Sequence, residues 1–114
     1  MGQLPRERRI RTRREIAALL RGARARGAAL ELYRRPAAEA IGRVTCITPK
    51  HGRTGVERNR LRRRIKELMR EILLARGEGH DWLVRTRPPA YDLSYAELHA
   101  ALTALAEESG EAET

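Results

Sequence analysis

The sequence predicts a single α+β domain in which helices pack on one mixed sheet. Three observations lead there. The chain has 114 residues, enough for one hydrophobic core and too few for two lobes around a deep cleft. Three segments open with a capping-box pattern and continue with apolar residues at helical spacing. Short alternating stretches lie between them, closed by Pro or Gly, as half-buried strands are. The order is helix, two or three strands, helix, strand, helix, and elements of both kinds in one small chain share a core.

The first ten residues are basic, broken by Pro5, and read as irregular. Thr12-Arg-Arg-Glu15 is the first capping box, and Ile16, Leu19, Leu20 and Ala23 give a helical stripe bracketed by Gly22 and Gly27. Leu30 to Tyr33 alternates as a strand that Pro36 stops, and Ala37–Ala40 reads as a loop. Ile41–Thr48 is a second strand with Val44, Cys46 and Thr48 on one face. Thr54-Gly-Val-Glu57 opens the strongest helix, with Leu61, Ile65, Leu68 and Ile72 in its stripe, Met69 and Leu73 widening it, and Gly77 and Gly79 ending it. Asp81–Arg87 is a strand halted by Pro88-Pro89. Ser94-Tyr-Ala-Glu97 caps a last helix striped by Leu98, Ala101, Leu102 and Leu105, with Leu93 and Leu98 placed for a hydrophobic staple. The domain is expected to span 1–106, and the acidic residues 107–114 to form a frayed or disordered tail.

Charge is the second line of reasoning. The formal net charge is +9, from 24 basic and 15 acidic residues, and only Lys50 and Lys66 among the basic ones are Lys. A preference for the bidentate guanidinium fits phosphate recognition, although GC-rich codon usage inflates Arg as well. Placement says more than the total. Residues 1–26 hold nine Arg against Glu7 and Glu15, residues 58–66 hold six cations and no acid, and the last eight residues hold four Glu. Two separate basic blocks on a small domain are the footprint of a polyanion binder. A membrane surface would call for bulky apolar anchors, and the chain has no Phe and one Trp.

The run Arg58-Asn-Arg-Leu-Arg-Arg-Arg-Ile-Lys66 lies early in its helix, near the positive end of the macrodipole. Cations there cost roughly 0.3–1 kcal/mol each. Arg58, Arg62 and Lys66 are spaced four apart, as are Arg60 and Arg64, and each like-charge pair costs roughly 0.2–0.5 kcal/mol more. The arrangement makes sense if an external anion sits against free backbone N–H groups and Arg forks. No helix-turn-helix pair or zinc finger is present to read DNA, so recognition of RNA shape and backbone is the better fit.

The remaining chemistry is sparse. Cys46 is the one cysteine and sits in an apolar stretch, as a small core residue does. One Cys and three scattered His give no zinc spacing, and no paired carboxylates or Ser–His–Asp arrangement stands out. A lone Cys without a signal-peptide run points to the cytosol. Tyr33 reads as the exposed aromatic of a strand, suited to stacking a base or to ordinary sheet packing. Trp82 reads as core, His80 and His99 as surface or partly packed, and His51 as touching phosphate or facing water.

The stretch from Arg43 to Glu67 resembles, without a gap, the signature of the bacterial ribonuclease P protein component, with Arg58-Asn59-Arg60 at its centre. The likeness spans about residues 4–105. Leu4–Ile10 is similar to that family's basic start, Asp81–Arg87 to its last strand, and Leu93–Leu98 to the start of its final helix. The resemblance implies an αβββαβα sandwich of a kind shared with a ribosomal-protein domain, with a left-handed βαβ crossover against the usual right-handed rule. It implies the catalytic RNA of ribonuclease P and precursor tRNA as partners, in a cytoplasmic particle that removes the 5′ leader by metal-assisted hydrolysis. Magnesium would be held mainly by RNA, with no cofactor on the protein and no catalytic side chain. Arg58, Asn59, Arg60, Arg62, Arg63, Arg64 and Lys66 would bind RNA, together with Arg9, Arg11 and Arg13 of the basic arm. Ile16, Leu20 and Tyr33 would line a cleft for the leader, with Lys50 and His51 at its rim. The sequence departs from the pattern where Ile16 and Leu20 replace a common Phe, Lys50-His51 replaces Lys-Lys, Thr45 replaces Gly, and Gly55-Val56 replaces Ala-Val. Two other classes suit the charge: a ribosome-associated structural protein that binds ribosomal RNA, and a stand-alone nuclease, which needs a carboxylate or His cluster.

Overall fold

The computed structural model describes residues 5–76 and 78–113. Leu4, Gly77 and the chain's last residue, each used above, lie outside the described residues. Four strands form one mixed sheet in the order β1-β2-β4-β3: β1 (Ala23–Arg26), β2 (Leu30–Ile41), β3 (Val44–Ile47) and β4 (Glu78–Thr86). β2 runs antiparallel to β1 and β4, and β3 runs parallel to β4. A parallel pair needs a crossover. Here it is α2 (Gly55–Leu68), which continues through a π-helical turn at Met69–Leu73 into α3 (Leu74–Arg76). With α1 (Arg13–Leu20) and α4 (Tyr95–Glu113), the helix–strand order is the expected αβββαβα.

The pleat sorts the residues into two cores. Leu30, Leu32, Val44, Trp82 and Val84 face α2 and α4, where Leu61, Ile65, Leu68, Leu98 and Leu102 meet them. The opposite face carries Tyr33 and Leu83, cross-strand partners, which join Ile10, Leu19, Ile16, Leu20 and Ile47 beneath α1. Trp82 is core, as read from the sequence. The π-turn places Met69, Ile72 and Leu73 all in the interior, so the widened stripe of this helix is real. Two capping boxes close fully: Thr54 with Glu57, and Ser94 with Glu97. Leu93 and Leu98 both pack into the main core.

Several boundaries differ from the sequence reading. Ala23 is not the end of a helix but the start of β1, and α1 stops at Leu20. At Gly22 the chain turns against β2, where a Cβ would lie 2.7 Å from the Arg34 carbonyl oxygen. Pro36 does not stop β2, and residues 37–40 are strand rather than loop. β1 begins opposite Arg34, so beyond that point β2 has an open edge where a residue without an N–H can stand. Ile41 belongs to β2, and β3 begins only at Val44. The basic start is docked rather than loose: Arg9 bridges to Val44, the Ile10 N–H donates to the Val44 carbonyl at 2.8 Å, and Arg8 Nε donates to the Gly42 carbonyl at 2.6 Å. Residues assigned above to an acidic tail lie within α4 as far as Glu113, and Ser109 is buried. No helix among the described residues is long and apolar enough to cross a membrane.

Candidate nucleic-acid interface

The basic helix is aimed by the loop before it. Arg58 Nε donates to the Thr48 carbonyl at 2.9 Å, tying α2 to the end of β3. Tyr91, from the 3-10 turn Pro88–Asp92, donates its hydroxyl to the Pro49 carbonyl at 2.6 Å. Its ring lies 5.2 Å under the Arg53 guanidinium, and Arg53 pairs with Glu57 at 3.1 Å and Asp92 at 2.9 Å. His51 is the one described non-Gly residue with positive φ, at 49°, and it meets Tyr91 edge-on. Lys50 is exposed in the same loop. Tyr91 went unnoticed in the sequence because it stands in a Pro-rich turn far from the residues it holds.

The helix start itself is not an open anion site. Thr54 Oγ1 accepts the Glu57 N–H, and the Glu57 carboxylate accepts the Thr54 N–H, which holds that carboxyl below its usual range, helped by Arg53. The first turn therefore carries its own acid, and the cations begin one residue later. What remains is mutual repulsion along two flanks. Arg62 and Lys66 lie on one side, Arg60 and Arg64 on the other beside Tyr91, and Asn59 and Arg63 are exposed. Arg62 donates to Asn59 at 3.0 Å. Among the described residues Arg60, Arg63, Arg64 and Lys66 have no ion-pair partner.

Arg62 and Lys66 form one wall of a groove of about 350 Å³. Arg9 and Arg11 of the docked arm form the other, and Cys46 lies between them, backed by Met69. Burial pushes the Cys46 thiol up, against the pull of Lys66, Arg62 and Arg58. Arg13 is exposed at the start of α1 and is not among the groove's residues.

The other sheet face carries a second hollow. Ile16, Leu20 and Tyr33 do come together under α1, but Tyr33 is 4 % exposed, not the open stacking platform of the sequence reading. Its hydroxyl donates to Glu31 Oε1 at 3.2 Å. Beyond it opens a cleft of about 340 Å³ lined by Arg24, Arg26, Arg85, Arg87, Glu31 and His51 along with the edge of Tyr33. Glu31 pairs with Arg26 at 3.3 Å and lies 4.0 Å from Arg85. The arginines of this cleft were missed. For Arg85 and Arg87 the alternation along a strand was the available signal; for Arg24 and Arg26 the helix assignment hid it.

α1 is fixed over this face by charge. Glu15 pairs with Arg43 and, at 3.7 Å, with Arg35. Asp81, fully buried, accepts the Arg43 N–H at 3.0 Å and pairs with Arg35 at 3.4 Å. The Glu15 carboxyl is held low chiefly by the Thr12 hydroxyl, then by Arg43. Its carboxylate thus goes to Thr12 Oγ1 and the arginines.

These features define a small basic α+β domain with a cationic groove on one side of its sheet and a partly charge-compensated cleft on the other. A family model described as Ribonuclease P matches residues 4–110. The ribonuclease P protein component of Kocuria rhizophila is 34 % identical over 96 residues, covering 83 % of this chain and 85 % of that one. The chain belongs to the ribonuclease P protein family. Solved structures agree on the fold. The Staphylococcus aureus ribonuclease P protein matches with a TM-score of 0.80 at 18 % identity, over 90 % of this chain and 94 % of that one. The Thermotoga maritima protein matches with a TM-score of 0.72 at 18 % identity, over 85 % and 94 %.

Proposed function

We propose that this chain is the RNA-binding subunit of a cytoplasmic ribonuclease P particle. In this reading α2 and the docked arm hold the catalytic RNA, and the cleft beside Tyr33 faces the 5′ leader of precursor tRNA. The observation that carries it is the set of guanidinium groups on α2 left without an acid, among the described residues, in a chain that supplies Glu and Asp to arginines elsewhere. Unpaired, closely spaced cations on a helix are unfavourable until phosphates neutralise them. Family membership supports the same reading.

The protein's part is binding and orientation. Magnesium would be held by the RNA, and no step is given to the protein's carboxylates. The test is cleavage of precursor tRNA by a bacterial ribonuclease P RNA at low magnesium, with and without the protein. Added protein should raise the cleavage rate severalfold, and protein alone should leave the substrate intact. No gain at any magnesium concentration, or leader removal by protein alone, would overturn the proposal.

A further inference from the structure

We propose that the groove between the docked arm and α2 takes a single unstacked nucleotide of the bound RNA, its phosphate on Arg11, Arg62 and Lys66 and its base against Cys46. This rests on the RNA-binding reading above and adds a specific pocket to it.

The groove is built, not incidental. One wall is the arm, fixed to the free edge of β3 by the Arg9–Val44 bridge and the hydrogen bond from Ile10 to Val44. The other is α2, whose Ile65 and Leu68 are fully buried in the core, as is Met69 of the π-helical turn that continues it. Neither wall can drift without breaking sheet or core contacts. Four cations line the space and no carboxylate does. Arg11 and Lys66 have no ion-pair partner among the described residues. Such a lining selects a polyanion strand.

A phosphate alone would need only the rim. The floor is a thiol with buried apolar residues behind it, a surface that a sugar-phosphate backbone does not reward and a base does. Sulfur is polarizable and makes favourable contacts with π-systems. Because burial raises the thiol above its ordinary range, it stays neutral near pH 7 and does not compete with the phosphate for Arg62 and Lys66. At about 350 Å³ the space suits one nucleotide, and a base enters it only after leaving its stack, which is how single-stranded RNA is read.

Cys46 is the one cysteine in the sequence, so a thiol reagent reports on the groove alone. The full chain is mixed with a bacterial ribonuclease P RNA at about 0.15 M salt, and methylthiolation of Cys46 by methyl methanethiosulfonate is timed. RNA should slow the reaction at least fivefold. Protein methylthiolated beforehand should bind the RNA about tenfold more weakly, while the same treatment should leave the affinity of the Cys46→Ser variant where it was before treatment. If modification lowers the melting temperature, the protection rate alone decides. Equal reaction rates for free and RNA-bound protein would mean an empty groove and overturn this inference with the RNA-binding reading intact. Failure to bind the RNA at all would overturn that reading, and this one with it.

Discussion

The groove beside α2 and the cleft beside Tyr33 have similar volumes, about 350 and 340 Å³, and both are lined by arginine, yet they handle charge differently. In the cleft Glu31 faces Arg26 and Arg85 and accepts the Tyr33 hydroxyl. Farther along the same face Asp81 and Glu15 hold Arg35 and Arg43. The groove contains no acid. A guanidinium already paired with a carboxylate must give up that partner to take a phosphate, so its net gain is small. An unpaired one gives up only water and counterions. The composition alone, +9 overall, hides this division. Under the proposed function, affinity for RNA would belong on the α2 side, and the cleft's own carboxylate would temper its hold on a strand.

The strongest way to break the comparison is to remove the acid that is fully buried. Asp81→Ala takes from the Arg35 and Arg43 guanidinium groups, both largely buried, the buried one of the two carboxylates they share, leaving them Glu15, and leaves the Arg43 N–H without its acceptor. Breaking a buried pair from one side costs most when the remaining charge is left alone; with Glu15 still facing both arginines, the unsatisfied Arg43 N–H and the weakened pairing together cost about 2 kcal/mol. The expected result is a loss of that size in urea unfolding. A loss under about 1 kcal/mol would show that water already serves these arginines, and that the cleft side is not internally compensated.

Much of the α2 side was legible in the sequence because each of its signals is local. The Thr54–Glu57 capping box, the stripe through Leu61, Ile65 and Leu68, and the run of cations sit within a few turns of one helix. The cleft side was not, because it depends on contacts remote in sequence. β1 has four residues and makes sense only once β2 is beside it. Pro36 signals a stop unless the pairing of β2 with β1 is known to reach no farther than Arg34. Tyr33 reads as exposed until α1 is laid over it. Glu31 draws no notice in the Leu30–Tyr33 alternation because its partner Arg85 lies on β4, remote in sequence. The basic arm looked irregular because its order comes from one bridge to β3.

A smaller effect in energy, though a sharper one for function, comes from the flank of α2 facing Tyr91. Arg60 and Arg64 border a small hollow with Tyr91 and have no ion-pair partner among the described residues. Replacing both by Ala removes a like-charge pair spaced four apart and adds good helix formers, so the melting temperature should hold or rise slightly. Affinity for ribonuclease P RNA should fall about tenfold at 0.15 M salt. The slope of log affinity against log salt should flatten by about 1.5, the share of two phosphate contacts. A variant that loses affinity with an unchanged slope would mean these residues contact something other than phosphate.

The mildest change tests the compensated cleft directly. Glu31→Gln keeps the side chain's shape and its acceptor for the Tyr33 hydroxyl, but withdraws the negative charge from Arg26 and Arg85. Both arginines are about half exposed, so the pairs are worth well under 1 kcal/mol each, and the melting temperature should fall by only a few degrees. Their release makes two cations available at a surface where the wild type shows compensated ones. If the carboxylate restrains promiscuous binding, the variant should bind an unrelated single-stranded RNA about two- to threefold more tightly at low salt, with a steeper salt dependence, and the gain should vanish as salt rises. Measured beside the Arg60 and Arg64 variant, the two slopes should move in opposite directions. Unchanged or weaker binding by Glu31→Gln would mean that Arg26 and Arg85 do not face phosphates, and that the cleft's arginines serve the sheet rather than the strand.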